Sequence, residues 1–220
     1  MNRALAVLRP EPGNAATVAR IEALEMRAMS LPLFEVAPLA WTPPDAQAHD
    51  ALILTSANAL RHGGVGLAAL RALPVFAVGA VTAAAARKAG FRVVAIGAAD
   101  AATLLAQAET HGVSRALYLG GRDRMVATGG IVTAAIAVYA SLALPIRPER
   151  IVRLRHQVAL LHSVRAARAF AGLVGDRAAH RIAALSPAIL AAAEGGWDRA
   201  VSAAVPTDDA LIAAAAALAD

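Results

Sequence analysis

The feature that most limits the fold is a recurring pattern in which a short apolar run, bounded by turn residues, is followed by a stretch with helical spacing. The runs predicted to be buried strands are residues 4–8, 51–54, 75–78, 93–96 and 116–119. Helices are predicted over residues 14–28, after Thr55-Ser56, and over residues 81–89. Apolar strands alternating with helices are typical of a parallel sheet covered by helices on both faces.

Three blocks of sequence recur in the same order in the two halves of the chain, which indicates an internal repeat. The second block sets Ser56 opposite Ser163, and the third sets Gly79 opposite Ser186. The repeat predicts two similar α/β lobes of flavodoxin-like character. The matched blocks are RALAVLRP from residue 3 with RALYLGGR from residue 115, DALILTSANALRHGG from residue 50 with VALLHSVRAARAFAG from residue 158, and the stretch from residue 76 with the stretch from residue 182.

Two segments fall outside this pattern. Residues 32–38 and 139–148 contain proline at their ends and lack helical periodicity. Proline is tolerated at strand ends and edges, so both segments are predicted to be extended strands that connect the lobes.

Composition excludes several classes of function. The chain contains no cysteine, which rules out disulfides and thiolate chemistry. Its net charge of +5 comes from scattered arginines, and aromatic residues make up only 4%, so we expect no nucleic-acid partner. The longest apolar stretch, residues 131–144, is too short to span a bilayer, and the N-terminus lacks a cleavage site. We therefore expect a cytoplasmic protein that binds a small anion rather than a membrane.

Residues at strand-to-helix turns are the first candidates for a binding site. In open parallel sheets, ligands bind beyond the carboxyl ends of the strands, where helix N-termini favour negatively charged groups. Ser56, Gly79, Thr82, Ser163 and Ser186 occupy such turns or the first turn of the helix that follows. The alternative for each serine or threonine is that it only caps its helix.

Three further positions carry side chains with possible chemistry. Tyr139, one of two tyrosines, either donates its phenolic proton to a ligand or seals a strand end. Arg122 and Arg124 directly follow a strand, where they either bind an anion or remain solvated. His162 precedes Ser163, but adjacent residues in an extended chain point to opposite faces, so a structural histidine is the favoured interpretation. The histidine spacing predicts no metal site.

Taken in chain order, the motifs resemble those of the uroporphyrinogen-III synthase family over nearly the whole chain. The motifs that carry the resemblance are Val7-Leu8-Arg9-Pro10, Leu54-Thr55-Ser56-Ala57-Asn58, Ala77 through Ala83 with Gly79 and Thr82, Leu117 through Arg122, Val138-Tyr139, Leu161-His162-Ser163 and Leu185-Ser186-Pro187. In the second lobe, Ile189 stands where the pattern of the first lobe has Thr82.

The resemblance implies an interleaved chain. One lobe would combine residues 1–36 with 150–220, the other would span 42–140, and residues 37–41 and 141–149 would form a connecting two-stranded antiparallel ladder. It also implies an active site in the cleft between the lobes, and a hinge at the ladder.

The resemblance further implies that hydroxymethylbilane, a linear tetrapyrrole, is closed into uroporphyrinogen III. Water is lost and ring D is inverted, without metal or cofactor. Tyr139 would be the catalytic residue. The chain would work as a monomer, with transient contact to hydroxymethylbilane synthase. The implied substrate-binding residues are Arg9, Ser56, Gly79, Thr82, Arg122, Arg124, Ser163 and Ser186.

Other classes of function remain as alternatives. A two-lobed protein that binds a small anion, or a regulatory α/β protein without catalysis, would use the same strand-end turns. A coupled assay that distinguishes type III from type I product separates these alternatives from the enzyme.

Overall fold

The computed structural model describes residues 3–97 and 100–219, and the chain divides into two units. Unit 1 is formed by Met1–Glu35 together with Leu142–Asp220, and unit 2 by Val36–Ser141. Each unit has one sheet of mainly parallel strands with helices on both faces, so the predicted two-lobed α/β class is confirmed.

Unit 1 contains a five-stranded sheet in which every pairing is parallel. The strand order is β11-β10-β9-β1-β2. Its strands are β1 (Ala4–Val7), β2 (Ala28–Ser30), β9 (Gln157–Leu161), β10 (Arg181–Ala184) and β11 (Arg199–Ser202). Its helices are α1 (Gly13–Ala23), α5 (Pro148–Val152), α6 (Val164–Leu173), α7 (Pro187–Ala192) and α8 (Asp208–Ala216).

Unit 2 contains a six-stranded sheet with the order β3-β8-β7-β4-β5-β6. Its strands are β3 (Phe34–Pro38), β4 (Ala51–Leu54), β5 (Val75–Val78), β6 (Val93–Gly97), β7 (Ala116–Gly121) and β8 (Val132–Ala143). Its helices are α2 (Ala57–His62), α3 (Gly79–Lys88) and α4 (Ala101–Thr110). The pairings from β8 through β6 are parallel.

The two sheets share one topology with different starting points in the chain. Numbered by chain order within unit 1, the first sheet reads 2-1-3-4-5, the flavodoxin order. If β7, β8, β4, β5 and β6 of the second sheet are numbered 1 to 5, their order is also 2-1-3-4-5, and β3 is added beside β8. The sequence repeat pairs the same strands, since it aligns β1 with β7, β4 with β9 and β5 with β10. Unit 2 is therefore a circular permutation of unit 1.

Burial on both faces explains why these strands are continuous apolar runs. In β1 and the residue after it, Leu5 and Val7 pack with α1 and α8, whereas Ala6 and Leu8 face the layer of α6 and α7. All four side chains are fully buried. Because successive residues of a strand point to opposite faces, a strand with helices on both sides needs an apolar residue at every position.

Strands β3 and β8 are antiparallel neighbours. The Leu39 amide donates to the Val138 carbonyl at 3.0 Å, and the Leu144 amide donates to the Leu33 carbonyl at 2.9 Å. Numbers rise along one strand as they fall along the other, which defines an antiparallel pair. Each strand crosses the boundary between the units, so these extended segments connect the units as the sequence predicts.

The structure corrects two predictions near these segments. The helix predicted over residues 14–28 ends at Ala23, because Glu25 adopts a left-handed conformation with φ of 57°, and β2 follows. The segment predicted to be extended over residues 139–148 ends as a strand at Ala143, and α5 begins at Pro148. Proline favours the first position of a helix because its missing N–H would have no partner there.

Candidate functional site

The turns singled out in unit 2 lie at one edge of its sheet. Strands β4, β5 and β7 are parallel, and their carboxyl ends lead into Ser56, Gly79 and Arg122 respectively. Strand β8 runs parallel to β7 and places Tyr139 beside Gly121 at the same end. This edge is where parallel α/β sheets bind ligands, so we take it as the candidate site of unit 2.

Ser56 caps helix α2. Its side chain accepts a hydrogen bond from the Asn58 amide at 3.2 Å. The residue before it, Thr55, has its hydroxyl oxygen 2.8 Å from the Tyr118 hydroxyl oxygen. Ser56 therefore caps its helix, and a binding role at the same turn is open to the backbone as well as to the hydroxyl.

Helix α3 begins differently. Gly79 has φ of +71°, a conformation that side chains rarely adopt, and a Cβ built on it would meet no atom within 4 Å. None of the described side chains caps this helix. Its first N–H groups can therefore meet an anion. Thr82 lies in the same first turn and is 5% exposed, much like its counterpart Ile189 in unit 1, which is 8% exposed.

The Tyr139 ring lies against Gly121, where the backbone carries no side chain. A Cβ added to Gly121 would lie 2.6 Å from the Tyr139 Cζ and 2.9 Å from its hydroxyl oxygen. The ring of His62 lies near the Tyr139 ring, with a centroid distance of 6.2 Å and a tilt of 39°. Burial, with a contribution from the Arg61 charge, lowers the pKa of His62 below 6.5, so this imidazole is neutral at pH 7.

If Tyr139 is the catalytic residue, as the resemblance implies, substituting Gly121 by alanine is expected to displace its ring and reduce kcat about tenfold, since small misplacements of a reacting group are costly. Gly121 has φ of −89°, which alanine accepts, and the three atoms nearest to the added Cβ all belong to the Tyr139 side chain. Gly175→Ala is the matched control, because a Cβ there meets nothing within 4 Å. Equal kcat values for the two variants in an assay of product formation would contradict this expectation.

Arg122 and Arg124 lie in a short 3₁₀ turn, Arg122–Arg124, that directly follows β7. The Arg122 side chain is exposed. The side chain of Arg124 lies outside the described part of the structure. The turn therefore places Arg122 just beyond β7, the strand that carries Gly121.

The turns of unit 1 lie at the corresponding edge of its sheet. Ser163 follows β9 and caps α6, accepting a hydrogen bond from the Ala166 amide at 3.1 Å. Ser186 follows β10 and caps α7, accepting from the Ile189 amide at 3.4 Å. Both serines act as helix caps, as Ser56 does in unit 2, and this equivalence follows from the sequence repeat.

Arg9 enters a polar cluster centred on Asp208, the first residue of α8. The Asp208 carboxylate accepts hydrogen bonds from the Thr17 hydroxyl at 2.8 Å and the Arg20 guanidinium at 2.6 Å. It also accepts one from His162 Nε2 at 2.8 Å, while the Arg9 guanidinium lies 3.7 Å away. The Arg9 guanidinium thus already has an ion-pair partner within the protein, although 35% of its side chain remains exposed.

Burial and hydrogen bonds set the protonation states in this cluster. Burial lowers the pKa of His162 below 6.5, and its bond to Asp208 only partly offsets this effect. For Asp208, burial acts to raise the pKa, but hydrogen bonds from His162, Thr17 and Arg20 outweigh it and hold the pKa below 3.8. The cluster at pH 7 is therefore a neutral imidazole donating to a carboxylate that two arginines neutralise.

His162 should make the protein less stable in mild acid. Its pKa is lower in the folded chain than in the unfolded chain, so the unfolded chain takes up the proton first as pH falls. The stabilisation is full above the unfolded value and is lost as pH falls through 6.5 towards the folded pKa. His162→Gln should flatten the fall in unfolding free energy between about pH 7.5 and 5.5. Urea denaturation at both pH values measures this, and equal slopes for variant and parent would contradict it.

Sequence reasoning missed Asp208, Thr55 and Tyr118. Asp208 follows Thr207 at the start of a helix and had no recognisable partner in the sequence, since Thr17 and His162 are far away in the chain. Tyr118 lies inside an apolar run and was interpreted as a core residue, although it is one of only two tyrosines. That scarcity was the one signal that could have singled it out.

Two other kinds of feature are absent from the described residues. Over residues 3–97 and 100–219, no helix is long and apolar enough to cross a membrane. The side chains described there contain no group of three or more histidine or acidic residues arranged to hold a metal ion.

A family model described as "Uroporphyrinogen-III synthase HemD" matches residues 15–213, which is most of the chain. The chain belongs to the uroporphyrinogen-III synthase family. Comparison with curated protein sequences gives no significant match. Uroporphyrinogen-III synthases are cyclising lyases of tetrapyrrole biosynthesis, and this chain is one of them.

One solved structure supports the fold of this chain, and a second is similar over most of its length. The uroporphyrinogen-III synthetase of Helicobacter pylori shares 16% identity, with 98% of this chain and 99% of that chain covered and a TM-score of 0.68. A mutant uroporphyrinogen III synthase of the thermophile Thermus thermophilus shares 17% identity over 94% of this chain and 96% of that chain, with a TM-score of 0.48. The first likeness shows that the two-lobed α/β fold extends over essentially the whole chain.

Proposed function

We propose that this family member closes hydroxymethylbilane into uroporphyrinogen III with Tyr139 as the proton donor to the leaving hydroxyl group. The observation that carries this assignment is the position of the Tyr139 phenol, which lies against Gly121 at the carboxyl edge of the unit 2 sheet. Ligands of parallel α/β sheets bind at this edge, so the phenol is placed where a substrate is expected.

The reaction begins by breaking the bond between the hydroxymethyl carbon and its oxygen. Tyr139 gives its proton to the departing hydroxyl, water leaves, and an azafulvene-like cation remains. Ring D then attacks this cation through the carbon that carries its bridge to ring C, which forms a spiro intermediate. The bond from that carbon to the bridging methylene breaks and leaves a second azafulvene-like cation on ring C, to which the free α-carbon of ring D bonds, so that ring D is inverted. The proton lost from that α-carbon restores the Tyr139 phenol, so the net change is the loss of one water molecule.

The surroundings of Tyr139 suit a reaction that creates positive charge. His62 is neutral because burial lowers its pKa, so it adds no cation beside the azafulvene. The tyrosinate left after proton transfer is itself an anion next to that cation. A fixed arrangement of this kind stabilises charge as it develops and needs no rearrangement during the reaction.

The substrate carries eight carboxylates, and both units offer groups suited to them. In unit 2 we assign the turn at Ser56, the uncapped start of α3 at Gly79 and Thr82, and the guanidinium of Arg122. Helix N-termini and arginine forks both favour carboxylates. In unit 1 the proposed substrate-binding residues are Arg9, Ser163 and Ser186. In unit 2 we also propose Arg124, the second arginine of the turn after β7, as a substrate-binding residue.

A coupled assay tests the proposed function. Porphobilinogen and hydroxymethylbilane synthase generate the substrate, and chromatography separates type III from type I uroporphyrinogen. The chain is expected to give predominantly type III, since it must fold the substrate before unaided closure gives type I. Type I alone, at the rate of the reaction without the chain, would contradict the proposal and favour a non-catalytic anion-binding or regulatory protein.

We also propose that the chain acts in the cytoplasm as a monomer and takes its substrate from hydroxymethylbilane synthase through transient contact. The substrate closes unaided into the wrong isomer, which favours direct supply. Sedimentation of the pure protein, alone and mixed with that synthase, measures both the oligomeric state and the contact.

A further inference from the structure

We propose that Tyr118 is a positioning residue for this reaction, because its hydrogen bond to Thr55 fixes the substrate-binding turn of β4 relative to the strand that carries Tyr139. This inference rests on the proposed roles of Tyr139 and of the Ser56 turn. It adds a residue that makes no contact with substrate and acts through Thr55.

The Tyr118–Thr55 hydrogen bond lies at the end of the paired segment of β4 and β7. Tyr118 is 1% exposed, and its hydroxyl oxygen lies 2.8 Å from the Thr55 hydroxyl oxygen. Strands β4 and β7 are paired in register, with Leu54 beside Leu119. Thr55 is the first residue beyond that pairing, so the bond continues the attachment of β4 to β7 one step past the end of the backbone ladder.

A pair of glycines, Gly120 and Gly121, follows Tyr118 and its neighbour in β7. A Cβ added to Gly120 would lie 2.7 Å from the Tyr118 hydroxyl oxygen, and one added to Gly121 would lie 2.9 Å from the Tyr139 hydroxyl oxygen. The Tyr118 ring belongs to the buried cluster around Phe76 on one face of the sheet, whereas Tyr139 packs against the cluster on the other face. The two phenols therefore lie on opposite sides of one short piece of backbone, and both depend on its lacking side chains.

Electrostatics agree with a positioning role rather than a catalytic one. Burial raises the pKa of Tyr118 above 10.0, the bond from Thr55 opposes this rise, and the nearby Tyr139 adds to it. Tyr118 therefore keeps its proton throughout the physiological range and holds Thr55 as a neutral phenol.

The hydrogen bond therefore affects the distance between the proposed substrate-binding turn and the proposed proton donor. The turn at Thr55-Ser56 begins α2, where a substrate carboxylate is proposed to bind, and Gly121 supports the proposed proton donor. Since a shift of about 1 Å in a reacting group costs roughly 100-fold in rate, a fixed relation between these elements matters for kcat more than for binding.

The test removes each hydroxyl group and then both. Tyr118→Phe and Thr55→Val should each lower kcat about tenfold with little change in KM, and should raise the share of type I product. The double variant should be no worse than either single variant, because both remove one bond. Thr55→Ser keeps the hydroxyl and should retain near-parental kcat, which also covers the case in which Tyr118→Phe fails to fold.

Thr133→Val is the matched control. Thr133 bonds to His49 Nδ1 at 3.2 Å at the opposite edge of the same sheet, so losing its hydroxyl should affect stability without affecting kcat or product ratio. If Thr55→Val and Thr133→Val lose similar stability and both keep the parental kcat and product ratio, the bond is only structural and the proposal is overturned. Failure of the parent chain to form type III product would instead reject the proposed function, so the two failures are distinguishable.

Discussion

Replacing Tyr139 by phenylalanine should lower kcat about 100-fold while KM stays within about a factor of three, because general acid catalysis by one side chain typically contributes at least that much. The substitution removes only the hydroxyl, whose oxygen would lie 2.9 Å from a Cβ at Gly121, and keeps the ring that packs there. Single-turnover measurements on preformed hydroxymethylbilane separate this loss from substrate binding and product release.

Two controls make the result specific. Tyr118→Phe removes the other phenolic hydroxyl of the chain and is expected to cost only about tenfold, since Tyr118 acts through Thr55. Unfolding by urea should show that Tyr139→Phe is as stable as the parent to within about 1 kcal/mol. If turnover is unchanged, Tyr139 is not the proton donor, and the water-leaving step must use another group.

The largest effect on stability is expected at Asp208. Asp208→Asn removes the carboxylate that accepts from Thr17, Arg20 and His162 in a partly buried cluster where its side chain is 12% exposed. Leaving such donors without a charged acceptor should cost about 2–3 kcal/mol of unfolding free energy. For a chain of this size the corresponding fall in Tm is roughly 5–10 °C.

The neighbouring residue provides the control. The Asp209 side chain is 86% exposed and lies 3.7 Å from Arg20, so Asp209→Asn should change stability by less than about 0.5 kcal/mol. Trp197 lies in unit 1 and Trp41 in unit 2, so a Trp41→Phe background lets fluorescence report the unfolding of unit 1 alone. Equal stability of the Asp208 and Asp209 variants would contradict the expectation.

Local chemistry explains which parts of the fold were predictable. Ser56, Ser163 and Ser186 each follow a buried apolar run, and all three cap the next helix as that pattern predicts. By contrast, β2 has three residues without a distinctive pattern, and its pairing partner β1 is distant in the sequence. The helix ahead of it was consequently predicted too long. Short strands held by their neighbours leave little local signal.

The candidate site likewise contains residues that the sequence could propose and residues that it could not. Tyr139, Gly79 and Thr82 belong to local motifs of strand and turn, so the sequence could propose them. The roles of Tyr118 and Thr55 depend on β4 and β7 lying side by side, although 63 positions separate the two residues. No local pattern encodes that contact.

The sequence by itself determined the alternation of buried strands and capped helices, the repeat that relates the two units, and the motifs of the uroporphyrinogen-III synthase family. These features depend on periodicity and capping, which act over a few residues. Only the tertiary structure decided that unit 2 is a circular permutation of unit 1, that Arg9 shares Asp208 with His162, and that the Tyr139 ring lies on Gly121. Each of these depends on which strands lie next to one another, because side chains far apart in the chain interact only after the sheet has brought them together.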